Sequence, residues 1–254
     1  MARQSVKDRS YPEYQDSLAS SVGEPLSALT LQPSGRYRFH KEAKTWKPIT
    51  CRGITILAEP YPIGGSVVPA LKTLQEKIQQ LTPDFAPVPP ETFHLTVADL
   101  IWGDKYTALI QSQGGEIQNT QMFQRVDDIL KGVDGRLLTQ NATIVGVGGF
   151  PGAVVAFVNV DDAAYRSIIT FRDKIYSDLI LAQYGVFRER PFLGHITLGY
   201  IEGVPPQGLD DALNDIRFTT DFTLPQWTFE LSDVGIYRFS NMSEYYQIHG
   251  GYLG

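Results

Sequence analysis

Apolar positions along the chain change their period several times, and each change marks an element. Gly53-Ile54-Thr55-Ile56-Leu57-Ala58 is a β-type run that ends at Pro60 and a Pro-Ile-Gly-Gly turn. Val67, Val68, Leu71, Leu74, Ile78 and Leu81 then recur three and four apart, the period of one helix face, up to Pro83. The proline-rich stretch PDFAPVPPET leads into a second apolar run, FHLTVADLI, so the unit reads strand, helix, strand. After a Gly-containing loop, Met122, Val126, Ile129 and Val133 mark one side of a helix over 119–138.

The second half repeats this plan. Residues 142–147 and 153–160 read as strands joined through Gly148-Gly149-Phe150-Pro151-Gly152. Asp161 and Asp162 are capping residues for a helix bearing Tyr165, Ile168, Ile169, Phe171, Ile175 and Leu179, and GHITLGYI follows as a strand. A run from Gln226 to Phe239 and a strand near Tyr245–Ile248 complete the sheets. Ahead of all this, residues 1–35 are polar and lack sustained periodicity, which reads as an extended arm or a partly disordered lead-in, and 36–50 reads as a short hairpin. The expected architecture is α+β. It has a polar, basic N-terminal extension over 1–50 and one domain of two related lobes over 51–254.

Composition narrows the function classes. With 254 residues and 43% hydrophobic content, the chain can bury a sizeable core. The start of the chain lacks the apolar segment of a signal peptide, and no stretch approaches the roughly 20 apolar residues that a membrane span needs. A cytoplasmic protein with no membrane partner is expected. The single cysteine, Cys51, excludes an internal disulfide. Residues 1–50 hold eight Lys and Arg against five Asp and Glu, which leaves 14 against 23 for residues 51–254. An acidic body without a dense basic stripe argues for a small substrate over a long nucleic acid. Gly146, Gly148, Gly149 and Gly152 fit neither dinucleotide nor Walker spacing, so they are assigned to a hairpin and no cofactor is implied.

The candidate chemistry lies in two strands. His94-Leu95-Thr96 and His195-Ile196-Thr197 share the pattern His-x-Thr, and they use two of the four histidines. Strand alternation puts His94 and Thr96 on one face with Phe93, Leu95 and Val97 on the other; it groups His195 and Thr197 with Gly199, against Ile196, Leu198 and Tyr200. Two imidazoles across a cleft form an acid–base pair near neutral pH, and two hydroxyls beside them can hold anionic oxygens. The group that suits this set is a phosphodiester, and the set requires no metal.

These motifs, in the contexts HLTVADLI and GHITLGYI, resemble the paired signature of the two-histidine (2H) phosphoesterase superfamily, which includes 2'-5' RNA ligase-like (LigT-like) proteins and cyclic phosphodiesterases. The resemblance covers roughly residues 50 to 240. It implies a bilobal fold around a central cleft, catalytic roles for His94, Thr96, His195 and Thr197, and metal-independent hydrolysis of a small cyclic phosphodiester. Substrates of that kind are a 2',3'-cyclic nucleotide, a short oligonucleotide end or a sugar-nucleotide cyclic phosphate. The leader and an insertion-like segment at 103–140 depart from smaller members of that group.

Other readings stay open at this level. An RNA 2'-5' ligase or RNA-end-processing enzyme would use the same groups on a larger substrate, and a non-catalytic nucleotide-binding module would keep the cleft without turnover. Zinc calls for three or four His, Cys or carboxylate ligands, whereas the motifs supply two histidines; His40 and His249 read as structural or surface residues. Tyr61, Arg188, Arg190, Tyr237 and Arg238 are further candidates for substrate contacts, the arginines for phosphate and the tyrosines for stacking on a base. No protein partner is implied.

Overall fold

The computed structural model describes residues 6–23, 39–42, 45–61, 67–82, 84–112, 120–132, 141–150, 152–201 and 228–248. The elements are α1 (Tyr11–Gly23), β1 (Phe39–Glu42), β2 (Thr45–Pro48), β3 (Gly53–Tyr61), α2 (Val67–Leu81), β4 (Phe85–Pro87) and β5 (Leu95–Trp102). They continue with α3 (Asp104–Ser112), α4 (Thr120–Lys131), β6 (Asn141–Phe150), β7 (Ala153–Val160), α5 (Asp162–Ser177), α6 (Leu179–Gln183), β8 (His195–Ile201), β9 (Thr228–Asn241) and β10 (Glu244–Ile248). The alternating helix and strand periods of the sequence are realised in this order. Val133, Gln226 and His249, assigned above to elements or to the surface, lie outside the described residues.

The strands form two antiparallel leaves. One runs β10-β9-β3-β5; the other contains β8, β7 and β6, with β4 also paired to β8. The leaves meet at one rung between β5 and β8, Leu95 opposite Ile196. They meet again where the start of β9 pairs with β6 while also flanking β3. This is the two-lobed α+β arrangement expected from the sequence, with each His-x-Thr motif at the inner edge of its leaf. β1 and β2 make the separate hairpin.

Each lobe sends a helix under the other lobe's motif strand. Gln75 of α2 is buried, and its amide donates to Leu198 O (2.6 Å) and Val88 O (2.8 Å). Arg172 of α5, also buried, donates to Val97 O (2.8 Å) and Arg190 O (2.9 Å). Val97 and Leu198 each follow the motif threonine. The two helices therefore tie the motif strands together by equivalent cross-lobe bonds.

Residues 6–23 differ from the arm that their polarity suggested. Tyr11, Tyr14, Leu18 and Val22 form a helical stripe that packs into the core. At the helix start the Glu13 carboxylate reaches back to Ser10 and accepts from its amide and hydroxyl, both at 2.7 Å. Tyr14 is fully buried, stacks on Tyr165 at 4.5 Å between centroids, and donates its hydroxyl to Val158 O at 2.7 Å. Hydroxyl groups with aromatic bodies hide their apolar character from a polar/apolar count, which is why the stripe escapes notice.

Smaller departures have local causes. Asp104 opens α3 inside the segment read as a loop, and β4 lies within the proline-rich stretch. Asp161 caps α5 through Ala164 N (2.8 Å), as expected, but Leu179 begins a separate short helix capped by Asp178. β6 runs on to Phe150, and Gly152, at φ 82°, leads into β7. No helix among the described residues is long and apolar enough to cross a membrane.

Candidate active site

The rung between Leu95 and Ile196 fixes how the motifs face one another. Antiparallel pairing through these central residues sets His94 across from Thr197 and Thr96 across from His195, with all four side chains on the face opposite the two buried aliphatics. The four residues are half-buried, while Leu95 and Ile196 are fully buried. The strands thus set two imidazoles and two hydroxyls on one face.

Both rings are oriented by the same device. His94 Nδ1 lies 2.7 Å from Thr92 O, and His195 Nδ1 lies 2.8 Å from Leu193 O. A carbonyl only accepts, so each Nδ1 carries the proton and each neutral ring keeps a lone pair on Nε2 for a ligand. An aromatic ring backs each imidazole: Tyr245 against His94 at 4.7 Å, and Phe150 edge-on to His195 at 4.8 Å. Neither contact could be read from local sequence, because both partners come from distant strands.

Burial lowers the pKa of both histidines. For His94 the hydrogen bond to the Thr92 carbonyl and the charge of Asp99 partly offset the loss of water. For His195 the positive charge of Arg190 adds to burial, and its pKa falls to about 4. The ring at 195 is accordingly neutral across the physiological range.

A β-bulge in each motif strand changes which side chains share the cleft face. In β5 the register against β3 shifts between Thr96 and Ala98, which brings Asp99 to the side of Thr96. Arg190 donates to Asp99 (3.0 Å) and is more than half exposed. In β8 the register against β7 shifts after Thr197, so Thr197 pairs with Val155 but Gly199 with Val154. This overturns the alternation expected from the sequence. Gly199 faces the buried side, where an added Cβ would lie 2.5 Å from both Ala86 O and the Phe85 ring, and Tyr200 shares the side of Thr197, against Phe39.

The other sequence candidates are spread around this centre. Tyr237 lines a cavity of about 220 Å³ beside His94 and donates to Glu59 at 3.0 Å. Glu91, Glu244 and Tyr245 line the same cavity. Strand alternation sends the neighbouring Arg238 to the opposite face of β9. Tyr61 ends β3 opposite Glu230, and its side chain is outside the described part. Arg188 is instead ion-paired with Asp8 and Asp173 and lies over the Tyr176 ring at 5.3 Å. His40 pairs with Glu42 on the hairpin surface. Among the described residues, no three His, Cys, Asp or Glu side chains gather as a metal site.

No family model and no curated protein matches the chain. Solved structures do. A conserved protein of unknown function from Agrobacterium tumefaciens str. C58 aligns over 89% of this chain and 92% of its own, with a TM-score of 0.56 at 16% identity. This chain has that protein's fold. Escherichia coli LigT complexed with 3'-AMP aligns over 78% of this chain and 95% of its own, with 17% identity and a TM-score of 0.45. TT0787 of Thermus thermophilus aligns over 76% and 99%, with 18% identity and a TM-score of 0.43. Fold similarity at such identities leaves function to be argued from the site.

Proposed function

We propose that the protein is a two-histidine phosphodiesterase that hydrolyses a small cyclic phosphodiester, a 2',3'-cyclic nucleotide being the simplest substrate, by metal-independent general acid–base catalysis. The observation that carries this reading is the matched pair of imidazoles, each with Nδ1 fixed on a carbonyl two residues earlier, set on strands joined at Leu95 and Ile196. His195, kept neutral by burial and by Arg190, takes a proton from the attacking water. His94 has no cation among the groups that depress it, and the arriving phosphate anion favours its protonated form. It then gives that proton to the departing oxygen. The Thr96 and Thr197 hydroxyls and the Arg190 guanidinium hold the non-bridging oxygens as charge develops.

The cavity beside His94 then lies on the leaving-group side. Tyr245 and Tyr237 offer ring surface to a base or sugar, and Glu59, Glu91 and Glu244 accept from hydroxyl or amino groups while repelling additional phosphates. That lining supports a small substrate over an RNA ligase or RNA-end-processing role. The lone Cys51 fits a reducing, cytoplasmic setting.

The test is incubation of the protein, with chelator present, against a panel of 2',3'-cyclic nucleotides beside a His94→Ala, His195→Ala double variant. Turnover lost in the variant supports the reading, and the product isomer identifies the leaving oxygen. Tight binding without product moves the function to a nucleotide-binding module. Unchanged turnover in the variant removes the two-histidine mechanism.

A further inference from the structure

We propose that Asp8, from the N-terminal extension, is a positioning residue of the two-histidine site, acting through Arg172. The proposal rests on the phosphodiesterase reading for its kinetic arm alone.

The geometry starts from the carboxylate. The Asp8 side chain is 1% exposed, which for an aspartate demands a partner set that replaces water. One oxygen lies 3.0 Å from Arg172 Nε, and the other accepts from the Phe192 amide at 2.6 Å. Arg188 Nε approaches the first oxygen at 3.3 Å without an aligned hydrogen bond. These partners lie 164 to 184 residues further along the chain, so the contact is built by the fold and not by local sequence.

Arg172 turns this anchor toward the chemistry. Its two terminal nitrogens donate to Val97 O, next to Thr96, and to Arg190 O, in the loop that leads to His195. Asp8 therefore holds the guanidinium that spans the two motifs, and it grips the same loop again at Phe192 N. The next residue, Leu193, supplies the carbonyl that fixes the His195 ring. Tyr14 closes the brace from α1 by bonding to Val158 O, and Val158 N in turn donates to Gly194 O at 2.9 Å. A shift of the 188–194 loop would move the Leu193 carbonyl, the Arg190 charge and the spacing between Thr96 and His195 together.

Removing the Asp8 charge separates positioning from simple support. Asp8→Asn keeps the side-chain shape but leaves Arg172 buried without its counterion. Asp8→Asn combined with Arg172→Met leaves neither buried charge alone, so it recovers stability without restoring the strut. With ¹⁵N-labelled histidines, four in all, long-range proton–nitrogen spectra report the tautomer of His195 whether or not any substrate is turned over. Expected in folded Asp8→Asn are a mixture of Nδ1–H and Nε2–H forms at His195 and a kcat lower by about ten- to a hundredfold with a smaller change in KM. The double variant should melt above Asp8→Asn, short of the wild type because two carbonyls lose their donors, and should regain neither kcat nor the tautomer.

An unchanged His195 tautomer in folded Asp8→Asn overturns the proposal, as does recovery of both stability and site in the double variant. If Asp8→Asn does not fold, the double variant alone carries the comparison. If the wild type turns over no cyclic phosphate while the tautomer still responds, the phosphodiesterase reading falls and the positioning role stands.

Discussion

In one lobe the side chain that crosses beneath the partner motif is a neutral glutamine, Gln75, which satisfies two carbonyls and needs nothing more. In the other lobe the equivalent place is held by Arg172, which satisfies two equivalent carbonyls but brings a buried charge that must be balanced. Asp8 balances it, and with Asp8 comes α1. A second asymmetry accompanies the first. The residue before His94 is Phe93, seated in the core, whereas the residue before His195 is Gly194, where an added Cβ would lie 2.3 Å from Val158 O and 2.9 Å from the Tyr14 hydroxyl. Repeated lobes can thus share chemistry and differ in dependence: the first is braced from within, the second by a segment from the far end of the chain.

The largest effect that can test this comparison is catalytic. Alanine at His94 or His195 is expected to lower kcat by about 10²–10⁴-fold. The two variants should part company on a substrate with an acidic leaving group such as p-nitrophenol. His94→Ala recovers there because the departing oxygen needs no proton, and His195→Ala does not. Recovery by both or by neither would dissolve the assigned roles.

Stability comes next. Arg172→Met leaves Asp8 buried without its main partner and should cost about 3 kcal/mol in urea unfolding, whereas Gln75→Leu, which frees only neutral carbonyls, should cost about 1–2 kcal/mol. Equal losses would mean that the charge makes no difference. Gly194→Ala should destabilise by about 1–3 kcal/mol through overpacking against Val158 and Tyr14, while Phe192 and Arg190 lose their register with it.

The smallest expected effect is on pH dependence. His195 has its folded pKa lowered to about 4, against an unfolded value near 6.5. Between these values the unfolded chain binds the extra proton, so stability is constant above about pH 6.5 and falls as pH drops toward 4. His195→Gln should therefore melt with a smaller difference between pH 7 and pH 5 than the wild type. Lowered values at both rings also place the kcat/KM optimum on the acid side of 6.5, and an optimum above pH 7.5 would contradict the general-acid role of His94.

Much of this was legible in the amino-acid order. The alternation in FHLTV and GHITL marked the motif strands, and the stripes of α2 and α5 gave the cross-lobe helices. Three things were hidden, each for a physical reason. Bulges break the two-residue period, so Gly199 and Tyr200 changed faces and Asp99 came to the side of Thr96. Tyr11 and Tyr14 bury rings while keeping a hydroxyl, so α1 looked polar although Glu13 ties back to Ser10 at its start. Asp8 is one aspartate among many until the fold places Arg172 and Phe192 beside it.

The closure of the sheet also governs how the molecule is made. β9 pairs with β3, far earlier in the sequence, and with β6, and the Phe192 amide pairs with an aspartate made long before it. The second seam between the leaves forms only once β9 has been made. Closing the sheet is therefore a non-local event, and until β9 has been made β3 and β6 carry open strand edges. Contacts so far apart in sequence make slow folding the expected cost of this closure.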